Sequence, residues 1–188
     1  MNHRKPRALV MTGFGLNCER ETAHVLRLAG AEVDLKHLND LVDRPQCLAN
    51  YGLLAFIGGF SYGDHIAAGR ALAIRMKYGL AAPLEGFVRR GGLVIGICNG
   101  FQVLVKLGLL PGFEPFGRDI DQQVTLTHND SGVFRNDWVR LRVNPDNPCV
   151  FTRNLNVLDL PIRHGEGKFV VKDDSILKRL RECNQIVY

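Results

Sequence analysis

Cys98 stands in the stretch Gly96-Ile97-Cys98-Asn99-Gly100-Phe101-Gln102, directly behind the apolar run Gly92-Leu93-Val94-Ile95. Glycines around a cysteine allow a tight strand-to-helix turn that lifts the sulfur above a sheet edge, a cysteine version of the nucleophile elbow. A helix beginning at the next residue brings its positive end to the sulfur, and main-chain amides at the turn can meet an oxyanion. That is the equipment for covalent attack on a carbonyl carbon. The plainer alternative is a small buried residue at a strand end.

A second loop has the same flavour. Leu53-Leu54-Ala55-Phe56-Ile57 is a continuous apolar run that ends in Gly58-Gly59-Phe60-Ser61-Tyr62-Gly63-Asp64. Paired glycines after a buried strand let the main chain approach a ligand and aim its amides at negative charge. Taken by itself, the loop could equally be an ordinary turn. Glu19 and Asp64 lie near these loops, where a single carboxylate is more often a cap or dipole partner than a catalyst. His65 follows the glycine loop, while His24, His37 and His128 have no spacing that would hold a metal, and no metal site is expected.

The elements that must position these residues follow from hydrophobic period. Ala8 to Met11 reads as a strand, Glu21 to Gly30 as a helix, Glu32 to Leu38 and Leu53 to Ile57 as strands, and His65 to Arg90 as a helical region. Gly92 to Ile97 is a further strand, with helical spacing resuming over Phe101 to Leu107. Alternating strands and helices imply a mainly parallel sheet flanked by helices, an α/β fold of flavodoxin-like plan. From Gln122 the character changes. Val124 to Thr127, Trp138 to Val143 and Val157 to Ile162 are shorter strands between Asn, Asp, Gly and Pro turns, so the C-terminal half is expected to be β-rich and antiparallel. Asp174 or Ser175 would cap a last helix through Arg181, and Gln185 to Tyr188 begins to look like a strand.

Size and composition set limits. With 188 residues, 46% hydrophobic and 23% charged, the chain can bury one substantial core, and a single domain over residues 1–188 is expected. No apolar run is long enough for a membrane span, and the start does not read as a secretory signal. The five cysteines are scattered without a C-x-x-C pair, which fits a reducing, cytoplasmic compartment rather than a disulfide framework. The net charge of +5 is spread along the chain with no basic and aromatic stripe, so nucleic acid is not an expected partner.

G-x-C-x-G-x-Q together with Gly58-Gly59-Phe60-Ser61-Tyr62-Gly63-Asp64 resembles the class I glutamine amidotransferases. Within them, the glycine loop and His164-Gly165-Glu166-Gly167 are similar to the branch that supplies ammonia for formylglycinamidine ribonucleotide in purine synthesis. The likeness extends from Asn17-Cys18-Glu19-Arg20-Glu21 to Ile162 through Phe169. Family chains usually carry Pro ahead of the paired glycines and Pro-Gly ahead of Asn-Cys; here those places hold Ile57 and Phe14-Gly15-Leu16.

The resemblance implies a glutaminase in which Cys98 attacks the glutamine side-chain amide and a glutamyl thioester is then hydrolysed. It places the oxyanion at the amides of Gly59 and Asn99, and the substrate among Gln102, Gly58, Phe60, His164 and Gly165. It also implies a synthase subunit that uses ATP, with magnesium, on formylglycinamide ribonucleotide, since this chain has no Walker-type loop and no cofactor of its own is expected. Family members place their catalytic His and Glu in a Pro-His-Pro-Glu segment beyond the H-G-E-G stretch, and no such segment occurs before Tyr188, so the chain is expected to lack a C-terminal portion of the domain. Two other readings share this fold: a non-catalytic domain that binds glutamine or the synthase, and a cysteine-elbow hydrolase or stress protein.

Overall fold

The computed structural model describes residues 5–114 and 121–188. The chain forms two compact units, residues 1–121 and 122–188.

The first unit alternates β1 (Arg7–Thr12), α1 (Glu19–Leu28), β2 (Glu32–His37), α2 (Leu38–Asp43), β3 (Leu53–Phe56), α3 (Arg70–Arg89), β4 (Leu93–Gly96) and α4 (Asn99–Leu107), with short 3-10 turns at Pro45–Asn50 and Ser61–Asp64. Its four strands are all parallel, in the order β2-β1-β3-β4. Parallel strands need crossover connections that cover both faces, which is why Ala8 to Met11 of β1 and all of β3 are apolar instead of alternating. Side chains of the central strands point alternately to the two faces. Leu9, Met11, Leu54 and Phe56 pack with Leu72, Met76, Leu80, Leu84 and Phe87 of α3 and with Val103, Leu104 and Leu107 of α4. Val10, Ala55 and Ile57 take the other face with Ala23 of α1. The expected parallel sheet is therefore present.

The helix expected from His65 begins at Arg70, and the segment before it is a kinked turn in which Tyr62, Gly63 and Asp64 all have positive φ. Three successive left-handed residues cannot start a right-handed helix.

The amino end of the sheet carries a polar tie. Arg7 donates to Asp34 Oδ2 at 2.8 Å, and the hydroxyl of Tyr51, just ahead of β3, donates to the same oxygen at 2.6 Å. The Arg7 guanidinium also lies 4.9 Å from the centre of the Tyr51 ring. The Tyr51 hydrogen bond, helped by Arg7, holds the Asp34 carboxyl below its ordinary 3.8. Burial and then Asp34 push the Tyr51 hydroxyl well above the usual tyrosine range. A carboxyl lowered in the folded state stabilises it at pH above the ordinary value and loses that contribution as pH falls through the folded-state value. Tyr51→Phe is accordingly expected to cost about 1 kcal/mol at neutral pH, an ordinary hydrogen-bond contribution. Urea midpoints taken from neutral to acid pH should show the gap to the parent closing once Asp34 is protonated.

The second unit contains β5 (Val124–Thr127), β6 (Arg135–Arg142), β7 (Val157–His164), β8 (Lys168–Val171) and α5 (Asp174–Glu182), with a 3-10 turn at Val150–Thr152. β5 pairs antiparallel with β8, and β6 with β7, as two separate ribbons. Val124, Leu126, Val143, Ile176 and Leu180 are its buried apolar residues. The antiparallel, β-rich half is thus as expected, with β8 added. The cap of α5 is Asp173 rather than Asp174 or Ser175: its carboxylate accepts from the main-chain N–H groups of Ser175 and Ile176. Residues 185–188 are not a strand; Gln185 N–H donates to Leu180 O at 2.9 Å and Val187 O accepts from Asn144 N–H at 2.7 Å.

Candidate active site

β3 and β4 end side by side, and the two loops singled out above leave from those ends. Phe56 pairs with Gly96, and Ile97 N–H donates to Phe56 O at 3.0 Å, so residues 57–59 and 97–99 start in register. Cys98 follows with φ 56° and ψ −117°, a conformation that a non-glycine residue rarely adopts and that marks a strained turn. The turn makes Cys98 the N-cap of α4 and leaves it exposed, while Asn99 and Gly100 behind it are buried. Gly100 has to be glycine for packing: a Cβ there would lie 2.1 Å from Phe56 O, so α4 sits directly on the end of β3.

Gly58 faces Cys98. A Cβ on Gly58 would lie 3.5 Å from Cys98 Cβ and 3.9 Å from Sγ. The following residue, Gly59, has φ 115° and forms an isolated antiparallel bridge with Leu16. Asn17 N–H donates to Gly58 O at 3.0 Å and Phe60 N–H to Gly15 O at 2.7 Å. In an antiparallel pair whose hydrogen bonds fall on the flanking residues, the paired residue's own N–H points away from its partner. For Gly59 that is the β4 side, because β3 lies between β1 and β4. Among the described residues, neither the Gly59 N–H nor the Asn99 N–H has a protein acceptor; the second is a first-turn amide with no partner inside its helix. Such amides, one in the loop after β3 and one on the residue after the exposed cysteine, are donors that developing negative charge can use.

Side chains beneath the turn hold these amides in place. Asn99 is fully buried. Its Oδ1 accepts from Ser61 N–H at 3.3 Å, and its Nδ2 donates to Asp64 Oδ2 at 3.1 Å and to Gln102 Oε1 at 3.0 Å. Gln102, expected to contact substrate, therefore has its carbonyl engaged with Asn99. Phe60 is largely exposed at the rim, and Phe14 lies 5.7 Å from Tyr62, ring to ring, in the same loop cluster. Ser61 is buried with a hydroxyl that has no hydrogen-bond partner among the described residues. Because only its main-chain N–H is used, Ser61→Ala is expected to be neutral or up to about 1 kcal/mol stabilising, readable as an unchanged or raised thermal midpoint.

His164 and Gly165 belong to the second unit and form a turn of their own. Asn129 organises it: its Nδ2 donates to His164 O at 2.9 Å, its N–H to Gly165 O at 2.9 Å, and its Oδ1 accepts from Gly167 N–H at 3.1 Å. His164 Nδ1 lies 2.9 Å from the same Oδ1. The structure thus brings Cys98, Gly58, Gly59, Asn99 and Gln102 together in one unit and places His164 and Gly165 in the other. Sequence reasoning missed Asn129 and set Asp64 aside; neither residue type nor local spacing marked them.

An exposed cysteine on a strained elbow, faced by a glycine loop with a free amide, on a parallel α/β sheet, is the arrangement of a cysteine-dependent amidotransferase. The chain belongs to the glutamine amidotransferase family: the CobB/CobQ-like glutamine amidotransferase domain matches residues 5–188. Among curated proteins it is 44% identical over 184 residues to phosphoribosylformylglycinamidine synthase subunit PurQ of Dehalococcoides mccartyi, a match covering 98% of this chain and 69% of the relative. The subunit PurQ of Methanococcus maripaludis is also 44% identical, over 97% of this chain and 66% of the relative. The chain therefore spans about two thirds of the length of these relatives. Among solved structures, PurLQS from Thermotoga maritima superposes with a TM-score of 0.68 at 33% identity, over 91% of this chain and 72% of that one. A second Thermotoga maritima glutamine amidotransferase, at 19% identity and a TM-score of 0.56, shares the fold. Among the described residues no helix is long and apolar enough to cross a membrane.

Proposed function

We propose that this chain is the glutaminase component of phosphoribosylformylglycinamidine synthase, hydrolysing glutamine and passing the ammonia to a synthase subunit for purine biosynthesis. The observation that carries this reading is the exposed Cys98 elbow, with Gly58 against its side chain and the Gly59 and Asn99 amides without a protein acceptor among the described residues. The relatives' shared name supplies the acceptor chemistry. Residues 1–188 act in this reading as a single glutamine amidotransferase domain, which the family match over residues 5–188 supports. ATP and magnesium are used on the synthase partner. The cytoplasm is its proposed location, where an exposed thiol stays reduced.

The chemistry runs in two halves. The Cys98 thiolate forms a bond to the side-chain amide carbon of glutamine, and the carbonyl electron pair moves onto oxygen, where the Gly59 and Asn99 amides receive it. Collapse breaks the C–N bond and ammonia leaves with the proton first held by the thiol. Water then adds to the γ-glutamyl thioester, the C–S bond breaks, and glutamate and the free thiol are restored. Gly58 keeps the approach to the sulfur open, Phe60 walls the rim, and Gln102 lies at the floor. His164 and Glu166 are not assigned the proton transfer; His164 Nδ1 is already engaged by Asn129.

The test uses the full-length natural protein with its synthase partner. Acid quenching during turnover, followed by peptide mass spectrometry, should find a γ-glutamyl group on the peptide bearing Cys98. Glutamine that binds and is never cleaved, with the partner present, would instead favour a non-catalytic binding domain.

A further inference from the structure

We propose that Asp64 is a positioning residue for glutamine hydrolysis, fixing the distance between the two oxyanion donors without touching substrate. The inference rests on the glutaminase reading above and goes beyond it, because that reading gives Asp64 no role.

The two amides come from different elements. Gly59 belongs to the loop after β3, and Asn99 begins α4, 40 residues later in the chain. Something must hold the loop and the helix at one separation, since an oxyanion donor displaced by a fraction of an ångström loses much of its effect. The β3–β4 register sets only the starting points of the two loops. Beyond it, the direct side-chain tie is Asn99 itself, whose Oδ1 accepts from Ser61 N–H, two residues past Gly59. Asparagine can rotate its amide by half a turn and present nitrogen where oxygen is needed, which would break that bond.

Asp64 removes the choice. Its carboxylate can only accept, and both of its oxygens lie within hydrogen-bond distance of Asn99 Nδ2, at 3.2 and 3.1 Å. With Nδ2 committed to Asp64 and to Gln102 Oε1, Oδ1 is left to face Ser61. The same carboxylate accepts from Gly69 N–H at 3.1 Å, immediately ahead of α3. One side chain therefore joins the glycine loop, the start of α3 and the start of α4. The left-handed backbone at Tyr62, Gly63 and Asp64 turns the chain back to bring it there. Asn99 is fully buried, so water cannot replace these contacts cheaply.

The experiment compares Asp64→Ala, Asn99→Ala and the double variant in the full-length protein with its synthase partner. For Asp64→Ala, kcat for glutamate release should fall about 30-fold, part of what a lost oxyanion donor costs, with KM within about threefold. The double variant should be no worse than the poorer single one, because both remove the same tie. Alkylation of Cys98 by iodoacetamide is the control: displacement of iodide passes through no oxyanion, so a positioning role leaves its rate within about twofold of the parent. If Asp64→Ala does not fold, Asp64→Asn replaces it, keeping the volume while exchanging one of the two accepting oxygens for a donating amino group. Unchanged kcat, additive losses, or alkylation falling in step with kcat would each overturn the inference. Should the parent release no Cys98-dependent glutamate, the glutaminase reading fails and this inference with it. Loss confined to the Asp64 comparison leaves that reading standing.

Discussion

Cys98→Ala is expected to lower glutamate release by at least about 10⁴-fold, measured on the full-length protein with its synthase partner, while the urea midpoint stays close to the parent's. The size of the effect follows from what remains. Without the sulfur no thioester can form, and the two amides can stabilise only a direct attack by water, so the residual rate reflects binding and the oxyanion site alone. The small effect on stability follows from exposure. Cys98 is solvent-exposed, and its removal leaves no cavity in the core formed by β1, β3, α3 and α4. The backbone strain at φ 56° is also unchanged, since alanine meets the same Cβ penalty there as cysteine. A variant that kept even a hundredth of the parent rate would exclude Cys98 as the nucleophile.

Gly59→Ala is expected to be the second largest loss, about 10²–10³-fold in kcat, the cost of one oxyanion donor. Two separate obstacles meet at this position. Its φ of 115° lies where an L side chain is strained, and a Cβ would stand 2.4 Å from Gly15 O, 2.8 Å from Leu16 Cα and 2.9 Å from Asn17 N. All three neighbours are main-chain atoms, so no side-chain rotation relieves the contact. The loop has to move away from residues 15–17, and the bonds from Asn17 N–H to Gly58 O and from Phe60 N–H to Gly15 O are lost with it. The Gly59 amide is then displaced from the oxyanion position proposed for it. Glutamate release and the rate of γ-glutamyl loading on Cys98 should both fall, and loading that stayed at the parent rate would remove Gly59 from the oxyanion site.

The parts of this fold that can be read from sequence are those where local pattern and burial agree. Ala8 to Met11 and Leu53 to Ile57 are apolar on both faces because β1 and β3 are the central strands of a covered parallel sheet. The elbow was legible for the same reason: Gly96 and Gly100 around Cys98 have few other uses between a strand and a helix. What escaped depends on distant partners. The 3-10 turn at Ser61–Asp64 delays α3 to Arg70, and the contact that commits Asp64 to Asn99 spans 35 positions. The H-G-E-G turn is shaped by Asn129, also 35 positions from His164. β8 is only four residues long and acquires its identity from pairing with β5. Gln185 to Tyr188 has strand-like residues, but Val187 accepts a single bond from Asn144 and no ladder forms.

The Arg7, Asp34 and Tyr51 tie lies toward the amino end of the strands, whereas Cys98 and Gly59 lie at the carboxyl end. Robustness and reactivity are thereby assigned to opposite poles of the same sheet. Substitutions that soften one pole are free to accumulate without erasing the other, so a lineage can tune how firmly this domain is folded for hotter or cooler surroundings while inheriting its cysteine elbow unaltered.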